Sequence, residues 1–578
     1  MPPENTNLCL KAPLRTVHVI LLFNVYLVVA TYMAFINLRA PFYRDGSMFL
    51  FMANNIRFGQ PPYWACWDTK NPFVEYFWAY FHNLVLPFSD IVTSTRIAEG
   101  TVVALTGTVA ALMVTAPCLT VAGNREHGQA RRIHLLGFVA GLFVIYILSD
   151  HRATDCGLYI SLYQALPEAV VLLVAARLLH GRSIRRAQGF RAALLAILLG
   201  VSVFTAWGTK QTSLISLTPP LLVTVAWAAK TKRLGPYLKD AFVGFCVFAG
   251  LVGAFILNLA RNGTLATYWK GAYGYNLQKL SSHMPTALGV LRDYFSRWEF
   301  PENTVLWTTL AFVAGTAAFS LEVTRVWIRR ERMVLPYPKL LSLAWLAGGL
   351  VQSYFPMTLF HHYFFASWTP AAILAGLYLG SSKVVQRGLY LINAAALVSL
   401  VYVMVWYSGQ KDVLEQMRQD KLLFRNIPVV SYFAPPSSRV FTWGGFAHYN
   451  VLNNKKSDYP RNMWWFHITG GVSPEQRDET LREIFKDAPP DHFIETYETY
   501  VPERRFAPVR LDAGLLKKWT GCDYGLSLNI PESPGRLGRS IRVFDKGRVT
   551  KSDSAEDKTA GAAADPTGST AQKRDAGR

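Results

Sequence analysis

The sequence predicts a polytopic α-helical membrane protein with a C-terminal α/β domain. Three observations carry that reading. The 578 residues are 51% hydrophobic with a mean hydropathy of +0.18, and the apolar residues are gathered into long runs. Runs of about 18–20 such residues match the hydrocarbon thickness of a bilayer. The formal charge of +21 falls mostly in short clusters between those runs, where Lys and Arg mark the cytoplasmic side. Beyond residue 407 the pattern changes to alternating strand and helix signals.

Taken in order, about eleven spans and their loops make a consistent topology. Val17–Leu38 is too long for the apolar core of a signal peptide and reads as a retained first span, preceded by Lys11 and Arg15 on the inner side. An outer loop, 39–93, follows. Spans at 94–121, 134–149, 156–179, 192–208, 211–229 and 241–260 come next, then 303–323, 340–355, 358–380 and 388–407. Each inner loop is basic: Arg125 to Arg132, Arg182 to Arg191, Lys230 to Arg233, Arg325 to Arg332, and Lys383 with Arg387. Phe73–Phe88 is apolar but short and carries Glu75, His82 and Asn83. If it crossed, every later basic loop would face outward, so it is expected to lie in the outer interface. Gly46–Arg57 has Met48, Phe51, Met52 and Ile56 near helical spacing and is expected to be a second such helix.

Residues 408–550 are expected to form a soluble α/β domain outside the membrane. Arg439–Gly445 reads as a strand ending in a glycine turn, and 473–487 as a helix capped by Ser473 with Pro474 at its first position. His492–Thr496 reads as another strand. From 551 to 578 almost no large apolar residue occurs, the composition of a disordered tail. The composition argues against nucleic-acid binding, since the basic residues sit in loops and no recognition motif is present. The six cysteines show neither CxxC nor metal spacing. No inverted repeat of the transporter kind is visible.

The chemistry is concentrated in the first outer loop. Asp45 follows the first span closely, and a carboxylate there can take a proton from a hydroxyl nucleophile. Gly59-Gln60-Pro61-Pro62-Tyr63 is a rigid turn. Trp67-Asp68-Thr69-Lys70-Asn71-Pro72 then sets a cation among aromatics, where it can hold a phosphate as a point charge. Elsewhere, Glu168 lies in a span, a position that costs about 2.5–3.5 kcal/mol near the bilayer centre and is by default functional. It either pairs near the outer end, with Asp155 and Arg152 at hand, or helps form a site. Lys210 sits at the outer turn between two spans and either snorkels or holds an anion. His361, His362 and Tyr363 enter a later span. Adjacent helical residues point about 100° apart, so the histidines suit hydrogen bonding better than a metal. Tyr268, Trp269, Tyr273, Tyr275 and Asn276 form an aromatic run that either packs in the interfacial belt or stacks on a sugar.

The succession of a first span, Tyr43-Arg44-Asp45-Gly46, Ile56 to Tyr63, and Trp67 to Pro72 resembles the GT-C glycosyltransferases. Within these it is similar to the branch of protein O-mannosyltransferases and the aminoarabinose transferase that acts on lipid A. Thr209-Lys210-Gln211 and His362-Tyr363 extend the resemblance along the chain. It implies a polyprenyl-phosphate-sugar donor, transfer on the outer face of the membrane, Asp45 as the key acidic residue and Lys70 at the carrier phosphate. Many family members have Asp-Glu where Asp45-Gly46 stands, and some have an acidic residue at the place of Thr69. These departures weigh against a metal at that position, and neither a metal site nor another cofactor is expected.

The resulting expectation is a GT-C-like catalytic domain over 1–407 in a plasma or inner membrane. It would pass a sugar from a polyprenyl phosphate to a lipid, glycan or protein acceptor, with Asp45 as general base. Lys70, Asp68, Tyr63, Glu168, Lys210, His362 and Tyr363 would bind substrate. The alternative is a transporter or flippase for a lipid-linked sugar.

Overall fold

A computed structural model describes residues 16–37, 44–66, 68, 70–122, 127–149, 160–180, 188–277, 336–354, 365–381, 398, 421–444, 448–462, 473–498, 509–530 and 539–548. By packing, the chain divides into two compact units. One comprises Met1–Ile427 with Gly445–Trp464, the other Pro428–Gly444 with Trp465–Arg578.

The first unit is a helical bundle. Its helices are α1 (Thr16–Asn37), α2 (Arg44–Arg57), α3 (Phe73–Val85), α4 (Ile91–Ala122), α5 (His127–Ser149), α6 (Ile160–His180), α7 (Gln188–Thr209), α8 (Ser213–Lys230) and α9 (Leu234–Arg261). Two further helices, Tyr337–Tyr354 and Phe365–Ser381, belong to the same bundle. Among the described residues six helices, α4 to α9, are long and apolar enough to cross a membrane; His18–Ala34 and Phe365–Gly380 are shorter apolar stretches. The expected spans at 303–323 and 388–407 lie outside the described residues, apart from Val398. Large apolar side chains face outward from the bundle, with Phe190 80%, Phe242 66% and Phe245 61% exposed. A water-soluble surface rarely presents such a band, whereas lipid is its natural solvent. The protein is a multi-pass membrane protein.

Small residues let the helices approach. Gly141 on α5 packs against α1, where an added Cβ would meet the Tyr26 hydroxyl at 2.2 Å, and Tyr26 donates that hydroxyl to the Phe138 carbonyl at 2.8 Å. Close backbone approach of this kind replaces the hydrophobic drive that helices lose in lipid. Gly208, near the end of α7, does the same for the start of α3, because a Cβ there would lie 2.5 Å from Phe73 Cδ2. Gly208→Ala should therefore cost about 1–3 kcal/mol of overpacking. A melting curve in detergent reads this, and an unchanged midpoint would show that the α3–α7 junction is not tightly fitted.

The two short helices behave as their length dictates. At 14 and 13 residues, α2 and α3 reach about 20 Å at 1.5 Å per residue, short of a bilayer core of about 30 Å. Neither crosses. The expected one-sided stripe on α2 is not what is found: Phe49 to Asn55 are all buried in succession. Its polar side is covered by residues 448–462. Asn54 Nδ2 donates to the Lys455 carbonyl at 2.8 Å, and Asn55 Oδ1 accepts from the Ser457 amide at 2.7 Å. Gln60 Nε2 donates to the Ser457 carbonyl at 2.9 Å, and the Arg461 amide to the Trp64 carbonyl at 2.8 Å. Residues 445–464, expected in the soluble block 408–550, thus pack with the membrane unit. Backbone groups that would otherwise lack partners are met by the carboxamides of α2.

The second unit carries a four-stranded sheet of β1 (Val440–Trp443), β2 (His492–Glu498), β3 (Tyr524–Ile530) and β4 (Arg539–Lys546), in the order β1-β2-β4-β3. β1 pairs parallel to β2, with Phe441 opposite Phe493; the other pairs are antiparallel, with Phe493 opposite Phe544. The glycine turn after β1 is real: Gly444 has φ +91, and a Cβ there would strike the Thr496 carbonyl. Ser473 caps the helix Pro474–Phe485 by accepting from the Gln476 amide, with Pro474 at the first position. The core is aromatic, Phe485 meeting both Phe441 and Phe493 edge-on. Buried Glu495 is satisfied by Arg542 and by the Leu511 amide at 2.6 Å.

Candidate active site

The site is built where the loop between α2 and α3 meets the α7–α8 turn and the segment after α9. Asp45 lies in the first turn of α2. Tyr63 adopts φ +63, an uncommon conformation for a bulky residue, and is 1% exposed. Its ring packs against Tyr268 at 5.3 Å, and its hydroxyl donates to the carbonyl of Lys70 at 2.5 Å. Tyr63 thus fixes the backbone that carries Lys70, and the strain of its conformation is held by that anchoring.

Asn71 completes the anchoring. Its amide donates to the Trp207 carbonyl at 2.6 Å, near the C-terminus of α7 where helix carbonyls lack internal partners. Its oxygen accepts from the Tyr268 hydroxyl at 2.8 Å. Tyr268 leads into a seven-residue π-helix, Trp269–Tyr275, a rare form found mostly at functional sites. The aromatic run therefore divides: Tyr268 faces inward and holds the loop, while Trp269 is 60% exposed and stacks on Tyr273. The intervening asparagine of Lys70-Asn71-Pro72 is a structural tie between two helices.

Two lysines converge here. The Lys70 ammonium lies 4.3 Å from the centre of the Phe49 ring, a contact that a cation makes with an aromatic face. Lys210, in the turn after α7, is buried and donates to Ser161 Oγ at 3.0 Å. Burial, and then the nearby charge of Lys70, push its ammonium down to about 7, although Glu168 pulls the other way. A buried cation within the field of a second is a site that an anion would relieve.

Asp68 and Glu75 form the acidic side. Asp68 is buried, and Glu75 in the first turn of α3 is fully so. Burial, and then the charge of Asp68, hold the Glu75 carboxyl well above its usual range, outweighing its own backbone amide and Lys70. The neutral form of Glu75 is stable up to a raised pKa, while an unfolded Glu ionises near 4.5. Folded protein binds the extra proton across that window, so stability falls as pH rises through it. Glu75→Gln should remove this decline while keeping a donor toward Asp68, and Glu75→Ala should not restore the packing. Melting temperature against pH checks it; parallel profiles for wild type and Glu75→Gln would contradict it. Glu75 was legible only as an odd acid in an apolar helix.

Among the described residues Glu168 forms no ion pair. It is fully buried between α6, α8 and Tyr337–Tyr354, accepting from Ser216 Oγ at 2.6 Å, Gln164 Nε2 at 2.5 Å and Trp345 Nε1 at 2.9 Å. Three neutral donors satisfy it, so it ties helices together and acts on the site through its field on Lys210. Asp155 and Arg152, its expected neighbours, lie outside the described residues, as do His362 and Tyr363. Among the described residues no three His, Cys, Asp or Glu side chains cluster as a metal site.

No family model and no curated protein matches the chain. Solved structures do. ArnT from Cupriavidus metallidurans bound to undecaprenyl phosphate is 13% identical, with a TM-score of 0.50 over 92% of this chain and 98% of that one. The same ArnT in the apo state is 14% identical, again with a TM-score of 0.50, over 91% and 97%. The chain has the ArnT fold. At that identity the likeness is one of architecture, a polytopic helical bundle with a C-terminal α/β region. The likeness extends over nearly the full length of both chains.

Proposed function

We propose that this protein is an integral-membrane glycosyltransferase that passes a sugar from a polyprenyl-phosphate donor to a lipid, glycan or protein acceptor at the outer face of the membrane. The observation that carries the reading is the Lys70–Lys210 pair, held at the α2–α3 end of a bundle whose structural neighbour was crystallised with undecaprenyl phosphate. Two fixed cations can take the charge that develops on the departing lipid phosphate. Asp45, at the start of α2, is the base that accepts the proton of the acceptor hydroxyl as its oxygen attacks the anomeric carbon. The basic loops between the spans support an extracytoplasmic position for this end of the bundle. Tyr63, Asn71 and Tyr268 keep Lys70 in register by holding the backbone on either side of it. The first test is equilibrium binding of undecaprenyl phosphate to the reconstituted full chain. Saturable binding that exceeds that of undecaprenol supports the reading; equal binding of alcohol and phosphate removes the role given to the lysines.

A further inference from the structure

At the opposite end of the bundle from α2 and α3, a cavity of about 440 Å³ opens among α1, α4 and α5. Its rim carries the guanidinium of Arg131 beside two imidazoles. Arg131, His18 and His134 are exposed there, with the two imidazole rings 6.3 Å apart. Among the described residues no carboxylate lines it. Its walls are apolar, from Leu21 and Val25 on α1, themselves 58% and 46% exposed, to Leu112 on α4. The cavity takes no part in the site around Lys70, which lies at the other ends of these helices.

We infer that this cavity binds one anionic phospholipid, its phosphate held by Arg131 with the two histidines and its acyl chain laid along α1 and α4. The combination selects the ligand. A guanidinium can grip a phosphate through two parallel hydrogen bonds, and basic residues at a membrane surface attract anionic headgroups. A soluble phosphate would gain nothing from the leucine and valine wall, and a zwitterionic lipid would bring its own cation against Arg131. The wall is formed by residues of helices that pack within the bundle, as the Tyr26–Phe138 stacking at 5.6 Å shows for α1 and α5, so the cavity is held open by rigid elements.

Native mass spectrometry of the detergent-purified full chain tests this, with phosphatidylglycerol and phosphatidylcholine of matched acyl chains as probes. Wild type should retain one copy of phosphatidylglycerol about fivefold or more over phosphatidylcholine. Arg131→Gln should lose that copy and Arg131→Lys should keep most of it. Leu112→Trp, which fills the cavity without touching the charge, should lose it as well. Equal retention of the two lipids by wild type, or an unchanged preference in both Arg131→Gln and Leu112→Trp, overturns the proposal. Displacement of phosphatidylglycerol by inorganic phosphate at equal concentration also overturns it, in favour of a soluble anion.

Discussion

Asp45→Asn is expected to abolish sugar transfer, by about 10²–10⁴-fold, the range that a positioned general base contributes. Expression, the melting midpoint and undecaprenyl phosphate binding should remain at wild-type levels. The substitution keeps size and polarity and removes only the basicity. Its place favours a clean result, because α2 is clamped by the 448–462 segment through Asn54, Asn55 and Gln60. Transfer assays with radiolabelled donor separate the outcomes. Undiminished turnover in Asp45→Asn would remove Asp45 from the catalytic role, and lost donor binding would move it from base to binding residue.

The second large effect concerns the lysines. Lys70→Met and Lys210→Met should each weaken undecaprenyl phosphate binding by about tenfold or more, since a hydrogen bond to a charged group is worth about 1.5–3 kcal/mol. The two differ in pH dependence. With its ammonium pushed down to about 7, Lys210 is charged below that pH and increasingly neutral above it in the unliganded protein. Phosphate binding must then restore the proton, so affinity should fall as pH rises through 7, with net proton uptake on binding. Lys210→Arg, which stays charged throughout, should bind with a flat profile over the same range. Isothermal titration in two buffers of different ionisation enthalpy reads the proton uptake directly. A pH-independent affinity in wild type would mean that Lys210 does not face the phosphate.

The division into spans was legible because bilayer thickness and the placement of Arg and Lys impose it residue by residue. The expected 94–121 and 192–208 correspond to α4 and α7 within the few residues by which helix ends vary. The capped helix at Ser473 and the turn at Gly444 were legible for a similar reason, since each depends on a local residue type. The clasp on α2 was not. Asn54 and Asn55 look solvent-facing in a local pattern, and their partners, Lys455 and Ser457, are some 400 positions away in the chain. The same limit applies to Asn71, whose role is set by Trp207 and Tyr268, and to Glu168, whose three donors come from three helices. Tyr63 was expected at the substrate; its burial and its bond to the Lys70 carbonyl give it the task of positioning. Pairwise contacts of this kind leave no periodic signal, whereas spans and caps do.

The central claim is that sugar leaves a polyprenyl phosphate and is bonded to an acceptor at this site. The direct measurement follows both halves of a doubly labelled donor, with tritium in the sugar and phosphorus-32 in the phosphate, incubated with proteoliposomes of the full chain and extracted cell-envelope acceptors. Tritium should move to an acceptor fraction while phosphorus-32 stays with the free polyprenyl phosphate, in equal amounts, and both changes should vanish in Asp45→Asn. Intact donor that only changes leaflet, with the two labels still together, would contradict the account and leave the protein a carrier of lipid-linked sugar.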